Sequence, residues 1–205
     1  MLGSWNVNVT VGKYPQKVAS ALADLNLVGA LYTPIAYIGS QQVNGINHAV
    51  LAKQTLTTGK DVNNIVILTL NEKDDKVVLS GIERVVEQGG ELGGIKVADD
   101  FTVTDEAKDA LKAALADRLG IEITPHALLG TQVTKGMNYI LFVTTASVTP
   151  NPEVEAAVVI VNSLTKNIGF SYVLGGHDSV NQLGYAFTWL MQKNVSLGKP
   201  LGEWP

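Results

Sequence analysis

Three histidines, His48, His126 and His177, have the widest chemical range of any side chains in this 205-residue chain. An imidazole can ligate a metal or carry a proton near neutral pH. Metal sites need several ligands close together, and His48 has no second ligand at such a spacing. His126 stands where an earlier, matching passage has Ile35, so a half-exposed strand position accounts for it. His177-Asp178 suits the cap region of a helix. The chain has no cysteine, which excludes a thiol nucleophile, a disulfide framework and a thiolate metal site. Ser163 and Lys166 spell Ser-x-x-Lys, but that chemistry needs its serine at the start of a buried helix. Here the pair falls between two strand-like runs. No Gly-x-Gly-x-x-Gly opens a helix after a strand, and there is no P-loop or serine–histidine–acid set. The expectation is a protein that binds without catalysing, with no metal and no cofactor.

The same passage occurs twice. Residues 33–47 read TPIAYIGSQQVNGIN and residues 124–138 read TPHALLGTQVTKGMN, at a constant offset of 91 without a gap. Seven of the fifteen positions are identical: Thr33/Thr124, Pro34/Pro125, Ala36/Ala127, Gly39/Gly130, Gln41/Gln132, Gly45/Gly136 and Asn47/Asn138. Unrelated segments would share roughly one. A unit of this size is too long for a solenoid repeat and suits a small domain. The expected division is residues 1–88, a linker at 89–94, residues 95–175, and a C-terminal segment at 176–205.

These passages must be positioned by the elements around them. In the first unit, Trp5, Val7, Val9 and Val11 alternate with polar residues, which predicts a half-buried strand. Pro15 through Leu27 carries apolar residues at helical spacing, with Gly29 as a stop. Strands at 32–43 and 46–57 flank Asn44-Gly45, a strong hairpin signal. Strands at 64–71 and 76–86 flank the polar loop 71–75. The second unit repeats this order. A strand spans Ile95 to Val103, interrupted by Asp99-Asp100. A helix capped by Thr104 runs to Leu119, with acidic residues in its first turn. Strands follow near 121–134, 137–148, 154–162 and 167–174. In the tail, Val180, Leu183, Phe187, Leu190 and Met191 share one helical face. The fold expectation is α+β: two tandem units, each with one helix packed on an antiparallel sheet, plus a C-terminal helix.

Composition sets outer bounds. The hydrophobic fraction of 46% suffices for a core. A net charge of −4 without a basic cluster leaves nothing to neutralise nucleic-acid phosphates. No apolar run approaches membrane-spanning length, and the first residues lack the pattern of a signal peptide. A cytoplasmic location is the expectation.

The segment Gln132-Val133-Thr134-Lys135-Gly136-Met137-Asn138-Tyr139 is similar to the first hairpin of the cystatins, especially the stefins, which carry Gln-x-Val-x-Gly. Gln41-Gln42-Val43-Asn44-Gly45 fits that pattern at every specified position. Lys76 through Gly81 looks like the last strand of a stefin. Gly93-Gly94, and Gly3 in the first unit, resemble the glycine-bearing N-terminal trunk of that family. The resemblance covers nearly all of each repeat and implies two tandem cystatin-like units. It further implies inhibition of papain-like cysteine proteases by a wedge built from the trunk and two hairpin loops. Carried onto this chain, the loop residues are Gln41, Val43 and Gly45 in the first unit and Gln132, Val133, Gly136, Ser163 and Leu164 in the second. The trunk residues are Gly3, Gly93 and Gly94.

Departures from the family pattern are specific. The first unit places Asn71-Glu72-Lys73-Asp74-Asp75 where a stefin has an apolar second loop. The second unit replaces the loop valine with Thr134 and adds Lys135. Gly45 and Gly136 equally suit turn glycines, and Gln41 and Gln132 equally suit edge-strand positions. Trp5 and Trp189 fit a core. The alternative is a non-inhibitory binding or assembly module, homo-oligomeric through sheet edges or the C-terminal helix.

Overall fold

A computed structural model describes residues 3–57, 62–89, 94–116 and 120–174. The chain divides into two compact units, residues 1–88 and 89–205. The C-terminal helix expected over 176–205, His177, and Gly93 with most of the 89–94 linker lie outside the described residues.

The first unit runs β1 (Trp5–Val11), α1 (Gln16–Ala23), β2 (Ala30–Val43), β3 (Gly45–Leu56), β4 (Val62–Lys73) and β5 (Lys76–Glu87). Its strands form one antiparallel sheet in the order β1-β2-β3-β4-β5. The second unit runs β6 (Ile95–Val97), α2 (Asp105–Leu115), β7 (Ile121–Thr134), β8 (Gly136–Ser147), β9 (Val154–Asn162) and β10 (Ile168–Leu174). Its sheet has the order β10-β9-β8-β7-β6, again antiparallel throughout.

The α+β expectation of two cystatin-like units with a C-terminal helix is corrected. Strand accounts for 61% of the structure and helix for 12%, so the described residues are mostly β, with two antiparallel sheets and two short helices among them. The helices fall short for local reasons. The first stops at Ala23, with Asp24 as its C-cap donating its backbone N–H back to the Ser20 carbonyl; the weak helix formers Asp24 and Asn26 do not carry it further. Leu25 and Leu27, expected on the helix, belong to the turn after it. The second ends at Leu115. The strands β3, β4, β8 and β9, rich in apolar residues, extend instead to nine to twelve residues.

Each helix covers one face of its own sheet. Val18 packs with Tyr37, Val50, Ala52, Val66, Leu68 and Leu70. In the second unit Ala107, Ala110, Leu111 and Ala114 form a helical stripe against Leu128, Leu141, Val143, Val159 and Val161. Three alanines in that stripe let the helix axis approach the sheet closely, and burial of the leucines there stabilises each by about 2 kcal/mol.

The duplicated passage shapes the strand after each helix. β2 carries bulges between Pro34 and Ala36 and between Tyr37 and Gly39. β7 carries the same two, between Pro125 and Ala127 and between Leu128 and Gly130. A bulge bends its strand and increases the local twist. At Gly39 a side chain would collide with the Asn6 carbonyl, and at Gly130 a Cβ would stand 2.6 Å from the Lys96 carbonyl. So the Pro, Ala and Gly identities of the repeat mark where the sheet bends and where β1 or β6 crosses close by.

Candidate functional site

The hairpin end of the second unit brings three separate segments together. β7 turns into β8 through Thr134, Lys135 and Gly136, with Gly136 at φ +92. A Cβ at Gly136 would lie 2.8 Å from the Leu164 Cβ, so the first turn touches the second. The Ser163 backbone N–H donates to the Met137 carbonyl at 2.9 Å, and the Met137 N–H donates to Ser163 Oγ at 3.0 Å. Asn162 Oδ1 accepts from the Leu164 and Thr165 N–H groups at 2.9 and 2.8 Å, which closes the second turn. The third segment is β6, where Ile95 pairs with Gln132; Gly94 directly precedes it. Val133 is 67% exposed and Leu164 59% exposed at this end.

The first unit repeats the layout with different chemistry at its tip. The Gly3 N–H donates to the Gln42 carbonyl at 3.1 Å, and Gln41 Nε2 donates to the Gly3 carbonyl at 2.7 Å. Gly45, at φ +98, abuts the backbone carbonyl of Glu72. Val43 is 41% exposed. The second turn differs from the expected five-residue loop. β4 continues to Lys73, and the reversal takes place at Asp74 and Asp75, both at positive φ. That is the backbone of a tight primed turn, which Asp tolerates better than most residues.

A polar chain ties this turn to the helix. Lys17 Nζ, in the first turn of α1, meets Glu72 Oε1 at 2.7 Å and Asp75 Oδ1 at 2.8 Å. Glu72 Oε2 lies 3.1 Å from His48 Nε2, and His48 Nδ1 lies 2.9 Å from the Tyr37 hydroxyl. A carboxylate only accepts, so Nε2 carries the hydrogen. In the neutral ring Nδ1 then accepts from Tyr37. The paired Lys17 ammonium, with His48 second, holds the Glu72 carboxyl below the usual range. Lys17 does the same to Asp75. The bonds to Asp75 and then Glu72 raise Lys17 in turn. Burial pushes the Tyr37 hydroxyl up; the Glu72 charge adds to this and a bond to Ser40 opposes it. Tyr–His–carboxylate chains can relay protons, but Tyr37 and His48 are both buried here. The chain reaches the surface only where it is ion-paired, so its geometry is that of a strap between α1 and the β4–β5 turn.

His126 is elsewhere, with Nε2 2.8 Å from Thr144 Oγ1 and its ring 6.0 Å from that of Phe142. Among the described residues, no group of three His, Cys, Asp or Glu side chains could hold a metal. Ser163 and Lys166 sit in a turn between β9 and β10, not on a helix.

The expected loop residues therefore gather at one end of each unit. Gly3, Gln41, Val43 and Gly45 meet in the first; Gly94, Gln132, Val133, Gly136, Ser163 and Leu164 meet in the second. Two features escaped the sequence. Asn71 and Asn162 belong to the same ends, and their offset of 91 was a signal lying outside the fifteen-residue match. The strap left no signal: its members are as far as 58 residues apart and, apart from a lysine at 108, do not recur in the second unit. No family model matches the chain, and no curated protein or solved structure matches it. No helix among the described residues is long and apolar enough to cross a membrane.

Proposed function

We propose that the hairpin end of the second unit is a wedge that enters the cleft of a papain-like cysteine protease and blocks it. One observation carries this: Val133, on β7 beside the first turn, and Leu164, in the second, are exposed where those two segments are hydrogen-bonded to each other. Single exposed apolar side chains are ordinary on a protein surface. Here the two stand on mutually braced segments, so their backbone is ordered in advance, and preorder lowers the entropic cost of docking. The choice of a protease cleft rests on the similarity of Gln132 through Gly136 to the cystatin first hairpin. Inhibition would follow from filling the cleft without offering a scissile bond to the nucleophile.

The test is titration of the full chain into papain with a fluorogenic peptide substrate. Tight inhibition that is lost in Val133→Asp and Leu164→Asp, with the far-ultraviolet circular dichroism unchanged, supports the wedge. No inhibition at tens of micromolar protein removes it.

The first unit favours a second reading, a non-inhibitory binding or assembly role. Its outer turn, Lys73-Asp74-Asp75-Lys76, would have to be stripped of water to enter an apolar cleft, at a cost that unpaired charges make prohibitive. A concentration-dependent mass in light scattering, unaffected by the tip substitutions, would support that role.

A further inference from the structure

An amide ladder runs across the sheet at the hairpin end of each unit. In the first, Asn71 Nδ2 donates to Asn47 Oδ1 at 2.8 Å and Asn47 Nδ2 donates to Gln41 Oε1 at 3.0 Å. Gln41 Nε2 then donates to the Gly3 carbonyl. In the second, Asn162 Nδ2 donates to Asn138 Oδ1 at 2.8 Å and Asn138 Nδ2 donates to Gln132 Oε1 at 2.9 Å. The members correspond at the offset of 91, occupy directly paired positions on three neighbouring strands, and point the same way.

Asparagine is a poor strand former, and an amide shielded from water must have its hydrogen bonds satisfied. Gln132, Asn138 and Asn162 are 6%, 4% and 5% exposed. Apolar side chains at these positions would suit a sheet better by propensity and burial alone. What the amides add is direction: each has one donor side and one acceptor side, so a chain of them fixes neighbouring strands in one register. Asn162 also reaches beyond the ladder. Its Nδ2 meets Thr134 Oγ1 at 3.2 Å and the Lys135 carbonyl at 3.3 Å, while its Oδ1 closes the 162–165 turn. One side chain thus joins both turns of the wedge.

We propose that Gln132, Asn138 and Asn162 are positioning residues that lock the docking segments of the second unit together before a partner arrives, and that Gln41, Asn47 and Asn71 lock the corresponding segments of the first unit to one another. The assignment of these segments to docking rests on the function proposed above; the locking itself is a property of the free protein.

Hydrogen exchange of the free full-length chain, read by NMR, tests the locking. Asn162→Asp keeps an acceptor for the Leu164 and Thr165 amides but loses every Nδ2 donor. It is expected to speed exchange at residues 134–137 at least tenfold while Leu164 and Thr165 stay protected. Asn162→Ala is expected to release both turns. Unchanged exchange at 134–137 in Asn162→Asp overturns the proposal. So does a uniform increase along β7, β8 and β9, which would mean general destabilisation. Should the second-unit variants fail to fold, Gln41→Glu serves instead. It keeps the acceptor for Asn47 and loses the donor to Gly3. A tenfold loss of protection at the Gly3 amide supports the ladder, and unchanged protection overturns it. Papain separates the two proposals. If the wild-type chain inhibits, Asn162→Asp should weaken inhibition at least tenfold, and unaltered inhibition overturns the positioning role. If the wild-type chain leaves papain untouched, the docking function falls and the exchange result alone decides the ladder.

Discussion

His126 replaces an isoleucine of the first unit, Ile35, at a bulge of an otherwise matching strand. Burial holds its pKa below the ordinary 6.5. In the unfolded chain this ring takes a proton near 6.5, whereas the folded protein resists until a lower pH. Between those values the unfolded state binds more protons, so stability falls as pH drops below 6.5. Once both states are protonated the loss is complete. His126→Ile removes this contribution. Urea midpoints at pH 7.5 and 5.5 should therefore fall further for the wild type than for the variant, and parallel midpoints would contradict it. At Gly136 the demand is steric. Its φ of +92 and the nearby Leu164 Cβ leave no room for a methyl group, so Gly136→Ala should cost about 1–3 kcal/mol in urea unfolding. These residues show why the repeat was legible. Its shared prolines, alanines, glycines and amides are the positions where the sheet bends, turns or locks, and such needs admit few residue types. The ladder's third rung is less legible because Asn71 and Asn162 are isolated identities, each between an apolar run and a turn that differ in the two units.

At the scale of elements, the two helices are held differently. α2 has a side-chain cap, with Thr104 Oγ1 accepting from the Ala107 N–H at 3.3 Å, and Asp105 and Glu106 in its first turn. Thr104→Ala should cost about 1 kcal/mol, measured as a shift in the denaturation midpoint. α1 begins at Pro15 with no side-chain cap and has no acidic residue in its first turn. The Lys17 strap gives it a tertiary anchor instead. Both carboxyls of the strap lie below their ordinary values in the folded state. Their contribution is present above the unfolded carboxylate range and is lost as pH falls through the lowered folded values. The β4–β5 turn should therefore loosen only in acid, seen as a loss of protection across the paired ends of β4 and β5 after correction for the intrinsic pH dependence of exchange. Lys17→Met should produce the same loosening at pH 7. The helix is shorter than its sequence pattern suggests because apolar spacing continues past Ala23 to Leu27, while the weak helix formers Asp24 and Asn26 lie inside that pattern. Strand positions were more legible, since long runs rich in apolar residues leave less choice. The strap was not legible at all, because it depends on which helix face and which turn meet, and only the folded register decides that.

For the whole molecule, the question is whether two related units do the same work. The backbone layout recurs in both, including the bulges, the hairpin and the amide ladder. The tips do not. The second unit presents Val133 and Leu164, each more than half exposed. The first presents Val43 beside a turn whose Asp75 is engaged by Lys17. Burying the first tip in an apolar cleft would remove water from Lys73, Asp74 and Lys76 and compete with the strap. Burying the second would bring in two cations, Lys135 and the exposed Lys166, with no carboxylate between them, and each long side chain can keep its ammonium in solvent. One chain should therefore engage one protease molecule, through the second unit. Active-site-titrated papain should be inhibited at a ratio of one to one. Val133→Asp should raise the inhibition constant at least tenfold, while Val43→Asp leaves it unchanged. A ratio of two proteases per chain would show that the charged turn finds complementary partners in the cleft. The two tips would then be alternative solutions to one binding problem, not a working end and a braced one.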